Sequence, residues 1–151
     1  MKIRKATTKD ISKLITLIQK ADDRPYSWAK ERVMKYIHSE NKEILIVDDN
    51  SKLIGFVGIK KRDFDEKVKK FVNQDLYVKL TWIALLKKYR GNSIGSRLMK
   101  SVEKYVNKWN KKGIWLDCKK GKILFYEKNG YSASGYFMKK SKRQYVMKKT
   151  I

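Results

Sequence analysis

The stretch Leu85–Met99 carries the residues best suited to binding a charged ligand. It joins an apolar run, Leu76–Leu86, to an amphipathic helical pattern through a basic turn, Lys87–Ser93. A strand, a turn and a helix N-terminus in this order present backbone N–H groups and partial positive charge to a phosphate. Gly91 and Gly95 allow a ligand to approach the backbone closely, because they have no Cβ. The pattern predicts an anion site, with a charged turn that binds no ligand as the alternative.

Two blocks of the sequence resemble conserved motifs of the GNAT superfamily, the acyl-CoA N-acyltransferases. The segment Arg90–Gly95, RGNSIG, is similar to the family's Arg/Gln-x-x-Gly-x-Gly/Ala motif, with Ser93 at the position of the first motif glycine. The segment Phe125–Tyr131, FYEKNGY, is similar to a late family block. The blocks follow the family's order and approximate spacing, and the resemblance extends over nearly the whole chain.

The resemblance implies an acetyl-CoA site on the central strand and the basic turn. Backbone groups of the strand are expected to pair with the pantetheine arm, and turn N–H groups are expected to hold the pyrophosphate. Lys119 occupies a position where the family often has asparagine, and it is a further candidate for the cofactor. The cofactor-binding candidates are Ile83, Leu85, Arg90, Gly91, Asn92, Ser93, Ile94, Gly95, Ser96 and Lys119.

The resemblance places the general acid at Tyr126, near the cofactor sulfur. A phenol keeps its proton at neutral pH because its ordinary pKa is about 10, and the acid would protonate the leaving thiolate. The alternative is that Tyr126 only packs or binds the cofactor. No general base is assigned: Thr81 lies where some family members carry glutamate, and Asp75 is either a base acting through water or a surface acid.

Length and composition favour one domain spanning residues 1–151. Of the 151 residues, 42% are hydrophobic, which is sufficient for a buried core. A single cysteine, Cys118, excludes an internal disulfide, and it is interpreted as a small buried hydrophobe rather than a nucleophile. No apolar run has the length of a membrane span, and the N-terminus lacks the core of a signal peptide. We therefore expect a cytoplasmic protein with no metal site.

Positive charge is concentrated in the second half of the chain. The formal net charge is +23, and residues 76–151 contribute 20 basic and 3 acidic side chains, a net +17. A CoA ligand accounts for part of this excess. The remainder is either a solvated lysine-rich surface or a surface for a second polyanion.

Apolar spacing predicts a mixed α/β fold, which the resemblance makes more specific: a GNAT-like α+β arrangement with a splayed mixed sheet, in the order β-α-α-β-β-β-α-β-α-β-β. Ser93 is expected to cap a helix from 93 to about 110, which Gly113 ends. In this family the first loop and second helix usually form a wall of the acceptor pocket. Candidate acceptor contacts are therefore Arg24, Tyr26 and Trp28, with core packing as the alternative for Trp28.

Taken together, these features favour an acetyl-CoA-dependent N-acetyltransferase that acts on a primary amine of a small molecule, a protein or an aminoacyl-tRNA. The alternatives are a basic nucleic-acid-binding module and a GNAT-like domain that binds CoA without turnover. The sequence leaves the acceptor open, and a monomer and a homodimer are both compatible with it.

Overall fold

The computed structural model describes every residue from Met1 to Ile151. Seven strands and five α-helices form, in the predicted order except that two helices, α3 and α4, stand in place of one, and the mixed α/β fold class is confirmed. The elements are β1 (Lys2–Lys5), α1 (Ile11–Ala21), α2 (Tyr26–Ile37), β2 (Lys42–Asp49), β3 (Lys52–Lys60), β4 (Tyr77–Leu85), α3 (Ile94–Val102), α4 (Lys104–Lys108), β5 (Gly113–Cys118), α5 (Ile123–Lys128), β6 (Ser132–Lys139) and β7 (Lys142–Thr150).

The seven strands are hydrogen-bonded in the order β1-β2-β3-β4-β5-β7-β6. β1 and β2 are antiparallel, β4 and β5 are parallel, and β7 is antiparallel to both β5 and β6. The sheet is therefore mixed, as expected. The parallel pairing of β4 with β5 joins only Tyr77–Lys79 to Gly113–Trp115.

The chain divides into two compact units, and β4 contributes to both. The first unit comprises Met1–Ile59 and Thr81–Ser101, and the second comprises Lys60–Leu80 and Val102–Ile151. The organisation of residues 1–151 as one domain stays a prediction.

The core of the first unit lies between the apolar faces of α1 and α2 and one face of its strands. Leu14 and Ile18 on α1 and Val33 on α2 are fully buried, and they pack with Ile46 and Phe56 of β2 and β3. The four-residue spacing of Leu14 and Ile18 places both on one helix face. The two helices are connected by the loop of residues 22–25.

A partly buried cluster of ion pairs connects β1 to the start of α1 and to β2. The Arg4 guanidinium donates two hydrogen bonds to the Asp10 carboxylate, at 2.8 and 2.9 Å, and further bonds to Asp48. The Thr7 backbone N–H also donates to Asp10, at 2.8 Å. These bonds hold the pKa of Asp10 well below its ordinary value, against the effect of burial.

The second unit has its own apolar cluster. Val68, Val72, Trp115 and Val146 are buried together, and the half-buried ring of Phe71 packs against them. A Cβ on residue 135 would overlap the Phe71 ring, so glycine is required at this position, beside a bulge in the pairing of β6 with β7. Gly135 thus lets the loop before β4 lie close to the sheet.

Two features of the predicted long helix were wrong. The helix is interrupted at Glu103, which separates α3 from α4. Gly113 does not end it, because Gly113 is the buried first residue of β5. Asn110 ends α4 instead: it has φ 55°, and the Lys111 N–H donates to the Val106 carbonyl in the bonding pattern of a Schellman cap.

Candidate active site

The basic turn between β4 and α3 has an unusual backbone. Gly91 and Ser93 both have positive φ, at 83° and 63°. Glycine adopts this conformation readily, whereas a serine there costs about 1–2 kcal/mol. The left-handed backbone of Ser93 differs from the extended geometry of an ordinary N-cap, although its carbonyl accepts the first hydrogen bond of α3 from the Arg97 N–H, at 3.1 Å.

Six consecutive backbone N–H groups of this turn have no acceptor within the protein. They belong to the residues from 91 to 96, which include the exposed turn and the first residues of α3. A Cβ added at Gly91 would meet no atom within 4 Å, so the space beside the turn is open. A row of free N–H donors at a helix N-terminus fits a pyrophosphate group.

Arg90 differs from the residues that follow it, because its donors are used within the protein. Its backbone N–H donates to the Lys87 carbonyl at 3.2 Å. Its guanidinium donates to the carbonyls of Leu85 and Ala21, both at 3.2 Å. The side chain thereby ties the turn to the end of β4 and to the C-terminus of α1, and we interpret it as holding the turn in place.

Ile83 and Leu85 lie in the part of β4 that follows its short pairing with β5. Both are half-buried. A Cβ at Gly55 would lie 2.3 Å from the Leu85 Cδ2 atom, so this glycine allows β3 to approach the end of β4. The structure therefore places Ile83, Leu85 and the turn residues in one unit, along one continuous strand-turn-helix segment.

A hydroxyl pair that the sequence did not reveal occupies the middle of β4. The buried Tyr36 of α2 and Thr81 are hydrogen-bonded through their hydroxyl groups. A Cβ at Gly58 would lie 3.0 Å from the Tyr36 ring and 3.1 Å from the Thr81 Oγ1, so the glycine makes room for this pair. The two glycines of β3, Gly55 and Gly58, thus accommodate neighbouring side chains.

Trp28 packs against the core, which was one of its two predicted roles, and its contact with an acceptor stays a prediction. Its half-buried ring packs on the core of the first unit and meets Trp82 edge-on, at 5.3 Å between ring centroids. The guanidinium groups of Arg24 and Arg32 lie 4.3 and 4.7 Å from the Trp28 centroid. The Arg24 guanidinium also pairs with the Asp22 carboxylate at 3.2 Å, and Tyr26 beside it is 55% exposed.

Tyr126 lies in the second unit, on the last turn of α5. Its side chain is 7% exposed, and its ring packs against Phe125 and Tyr131, at centroid distances of 5.1 and 6.0 Å. Gly130, with φ 91°, ends the helix, and the Tyr131 N–H donates to the Tyr126 carbonyl. The packing of Tyr131 on Tyr126 is the apolar contact that accompanies such a cap.

The Tyr126 hydroxyl forms no hydrogen bond with another protein group. Burial raises the pKa of Tyr126 above its ordinary value, and the neighbouring Cys118 and Asp117 raise it further. The phenol therefore holds its proton throughout the neutral range. Its free hydroxyl is able to donate that proton in a hydrogen bond to an incoming acceptor.

Cys118 and Lys119 end β5 in the same unit. Burial raises the pKa of the Cys118 thiol to about 11, and Asp117 adds to this effect. The thiol is therefore protonated at neutral pH, and Cys118 is buried, as expected for a small hydrophobe. Lys119 is exposed and lines a basic cleft together with residues at the tip of the β6–β7 hairpin.

The remaining acid–base candidate, Asp75, lies on the surface. It precedes β4 and is exposed, and its backbone carbonyl accepts a hydrogen bond from the Lys111 ammonium at 2.7 Å. These contacts favour the interpretation of Asp75 as a surface acid.

The strand-turn-helix geometry and the sequence together identify the family. The profile of the Acetyltransferase (GNAT) family matches residues 13–131. The chain belongs to this family. The match includes the turn, the whole of α3 and the block around Tyr126, and it confirms the resemblance of both motifs. No curated protein sequence matches the chain.

Solved structures of GNAT acetyltransferases share this fold. The aminoglycoside 6'-N-acetyltransferase of Enterococcus faecium superposes with a TM-score of 0.78 at 20% identity, over 99% of this chain and 97% of that one. The PaiA N-acetyltransferase of Thermoplasma acidophilum, solved with coenzyme A, gives 0.73 at 20% identity, over 99% and 98%. A GNAT acetyltransferase of Streptococcus pneumoniae gives 0.73 at 19%, over 99% of both chains.

Proposed function

We propose that this protein is an acetyl-CoA-dependent N-acetyltransferase that acts on a primary amine. The observation that carries the proposal is the row of six free N–H groups from 91 to 96, in a chain that belongs to a family of acetyltransferases. The PaiA relative was solved with coenzyme A, which supports the same ligand class here. When bound, acetyl-CoA supplies the acetyl group as a thioester.

The first unit provides the groups that would hold this ligand. We propose that the N–H groups from 91 to 96 bind the pyrophosphate and that backbone groups of Ile83 and Leu85 pair with the pantetheine arm. Arg90 keeps the turn in register through its bonds to Leu85 and Ala21. A backbone N–H of β4 is proposed to stabilise the developing negative charge on the carbonyl oxygen.

Tyr126 is the proposed proton donor to the leaving sulfur. The hydroxyl has no competing partner in the protein, and its raised pKa keeps it protonated well above neutral pH. Its hydrogen bond to the sulfur strengthens as negative charge builds there, so its stabilising effect is concentrated in the transition state.

The acceptor site is proposed to lie along the loop Asp22–Pro25 and α2. The groups there are the ring of Trp28, the guanidiniums of Arg24 and Arg32 stacked on it, and the Asp22 carboxylate that pairs with Arg24 at 3.2 Å. We propose that a primary amine binds beside these groups.

The test is acetyl transfer measured as release of the CoA thiol, with glycine ethyl ester, kanamycin and peptide amines as acceptors. We expect the Tyr126→Phe variant to lose about 100-fold or more in kcat with an unchanged Kd for acetyl-CoA. Tyr131→Phe is the matched control, because the Tyr131 hydroxyl is also buried and has no partner. Equal kcat values for the two variants would rule out the role of Tyr126.

A non-catalytic basic domain is the second candidate, because the +17 of residues 76–151 exceeds what one CoA neutralises. This candidate predicts that no acceptor causes release of the CoA thiol. It also predicts that Tyr126→Phe and the wild type behave alike in this assay.

A further inference from the structure

A basic cleft of about 720 Å³ lies in the second unit, outside the turn, and its lining does not include Tyr126. Its walls come from the segment that follows β5 and from the tip of the β6–β7 hairpin. Nine residues line it: Lys119, Lys120, Gly121, Lys139, Lys140, Lys142, Arg143, Gln144 and Tyr145. Six of these side chains are cationic and none is a carboxylate. We refer to this feature as the hairpin cleft.

The sheet register brings these charges together. β5 and β7 are antiparallel with Cys118 opposite Tyr145, so the residues after Cys118 lie next to the start of β7. Lys139 pairs with Lys142 at the end of the hairpin. Between them Lys140 and Ser141 have φ values of 50° and 65°, which form the tight two-residue turn that matches the twist of a hairpin.

The cationic side chains of the hairpin cleft are not neutralised within the protein. None of the six forms an ion pair with a carboxylate, and all six are exposed. Other lysines of this unit do have acidic partners: Lys79 lies 2.7 Å from Asp63, and Lys149 lies 3.2 Å from Glu103. Like charges converging on one concave surface raise its potential and favour an anionic ligand.

An exposed aromatic face adjoins these charges on the hairpin. Tyr136 and Tyr145 are cross-strand partners with ring centroids 6.0 Å apart, and Tyr136 is 46% exposed. The Arg143 guanidinium lies 4.4 Å from the centroid of the Tyr136 ring. Met138, directly opposite Arg143, is 52% exposed. Flat, exposed rings and a stacked guanidinium next to unpaired cations are typical of surfaces that bind unpaired bases.

We propose that the hairpin cleft binds a single-stranded polynucleotide. Lysines at its rim contact the phosphates, and Tyr136 with the stacked Arg143 provides a platform for a base. An acidic peptide would satisfy the charges but would make no use of this platform. The proposal goes beyond acetyl transfer and does not depend on it, because neither the turn residues 91–96 nor Tyr126 lines the cleft.

The test is fluorescence anisotropy with an unstructured, labelled 12-nucleotide uridine RNA, measured between 50 and 300 mM salt. Four to six phosphate contacts predict a slope of log K against log salt of about −3 to −4. We expect the triple variant Lys139→Ala, Lys140→Ala, Lys142→Ala to bind at least 30-fold more weakly at 150 mM salt, with a slope reduced by about 2.

The matched control is the triple variant Lys2→Ala, Lys9→Ala, Lys30→Ala. These lysines are exposed, have no ion pair and lie in the first unit, and their removal changes the net charge by the same amount. We expect less than a threefold loss of RNA affinity. Equal losses in the two triple variants would mean that net charge alone drives binding, and would overturn the proposal.

A second variant tests the base platform. We expect Tyr136→Ala to weaken RNA binding about tenfold and to leave the binding of labelled polyglutamate unchanged. Polyglutamate that binds the cleft as tightly as RNA, with the same dependence on Lys139 and Lys142, would overturn the proposal in favour of an acidic protein partner. Acetyl-CoA affinity is measured on the triple variant Lys139→Ala, Lys140→Ala, Lys142→Ala. If this variant also loses affinity for acetyl-CoA, the cleft belongs to the cofactor site and the proposal is overturned. If acetyl-CoA does not bind the wild type, only the proposed enzyme function is refuted.

Discussion

Replacing Asp10 with asparagine should destabilise the first unit by about 2 kcal/mol at pH 7. The side-chain hydrogen bonds from Arg4 and the Thr7 N–H lower the pKa of Asp10 from 3.8 to about 2, against the opposing effect of burial. At about 1.4 kcal/mol for each pKa unit, the charged form contributes roughly 2 kcal/mol to folding. Asp10 is only 6% exposed, so water screens these bonds little.

The pH dependence follows from the sign of this change. A carboxylate whose pKa is lower in the folded protein stabilises it above the unfolded pKa, near pH 4, and this contribution disappears as the pH falls toward 2. Urea denaturation of the wild type and of Asp10→Asn should therefore give stabilities that differ by about 2 kcal/mol at pH 7 and converge between pH 4 and pH 2.

The control for this experiment is Glu31→Gln. Glu31 pairs with Lys35 on the exposed surface of α2, and such a pair contributes little to stability. We expect no measurable change for this variant. The reasoning is refuted if Asp10→Asn is as stable as the wild type at pH 7, or if the difference between them persists at pH 2.

Four further predictions concern backbone geometry and the thiol. Gly113→Ala should destabilise the protein by about 2 kcal/mol or more in urea denaturation, because its Cβ would lie 2.2 Å from the Lys149 carbonyl oxygen. Gly91→Ala should cost only about 1 kcal/mol in the same assay, because its strain comes from φ 83° and not from a clash; equal losses would contradict this difference. Ser93→Gly should raise the melting temperature, since glycine relieves the left-handed strain at φ 63°, and a lower melting temperature would contradict it. Cys118 should react with iodoacetamide at pH 8 far more slowly in the folded protein than in urea, because its pKa is raised to about 11; equal rates would show an accessible thiolate.

Local patterns in the sequence were sufficient to predict most of the elements. The apolar run Leu76–Leu86 predicted β4, which spans Tyr77–Leu85, to within one residue at each end. The predicted helix end near residue 110 was correct, but the choice of Gly113 as its terminator was wrong. Asn110 and Gly113 both tolerate positive φ, and only the strand that begins at Gly113 decides between them. The interruption at Glu103 has no signal in the apolar pattern, which continues through it.

Contacts between distant segments were not predictable from the sequence. The anchoring of the Arg90 side chain to Ala21 joins residues 69 positions apart, and the Tyr36–Thr81 pair joins residues 45 apart. The hairpin cleft likewise depends on the register of β5 with β7, which brings the segment after Cys118 beside the hairpin. The turn motif was readable because its glycines, its charges and the helix start are consecutive in the chain.

The most direct test of the central claim is titration calorimetry of Ser96→Pro and Ser96→Ala with acetyl-CoA. Proline at 96 removes one N–H of the turn without breaking a hydrogen bond of α3, since that N–H has no acceptor and proline is tolerated in a first helical turn. The alanine variant keeps the N–H and removes only the hydroxyl. Our account predicts that Ser96→Ala binds like the wild type and that Ser96→Pro binds about 10-fold or more weakly, because a charge-assisted hydrogen bond is lost. Equal affinity of the two variants would contradict the assignment of the turn as the pyrophosphate site.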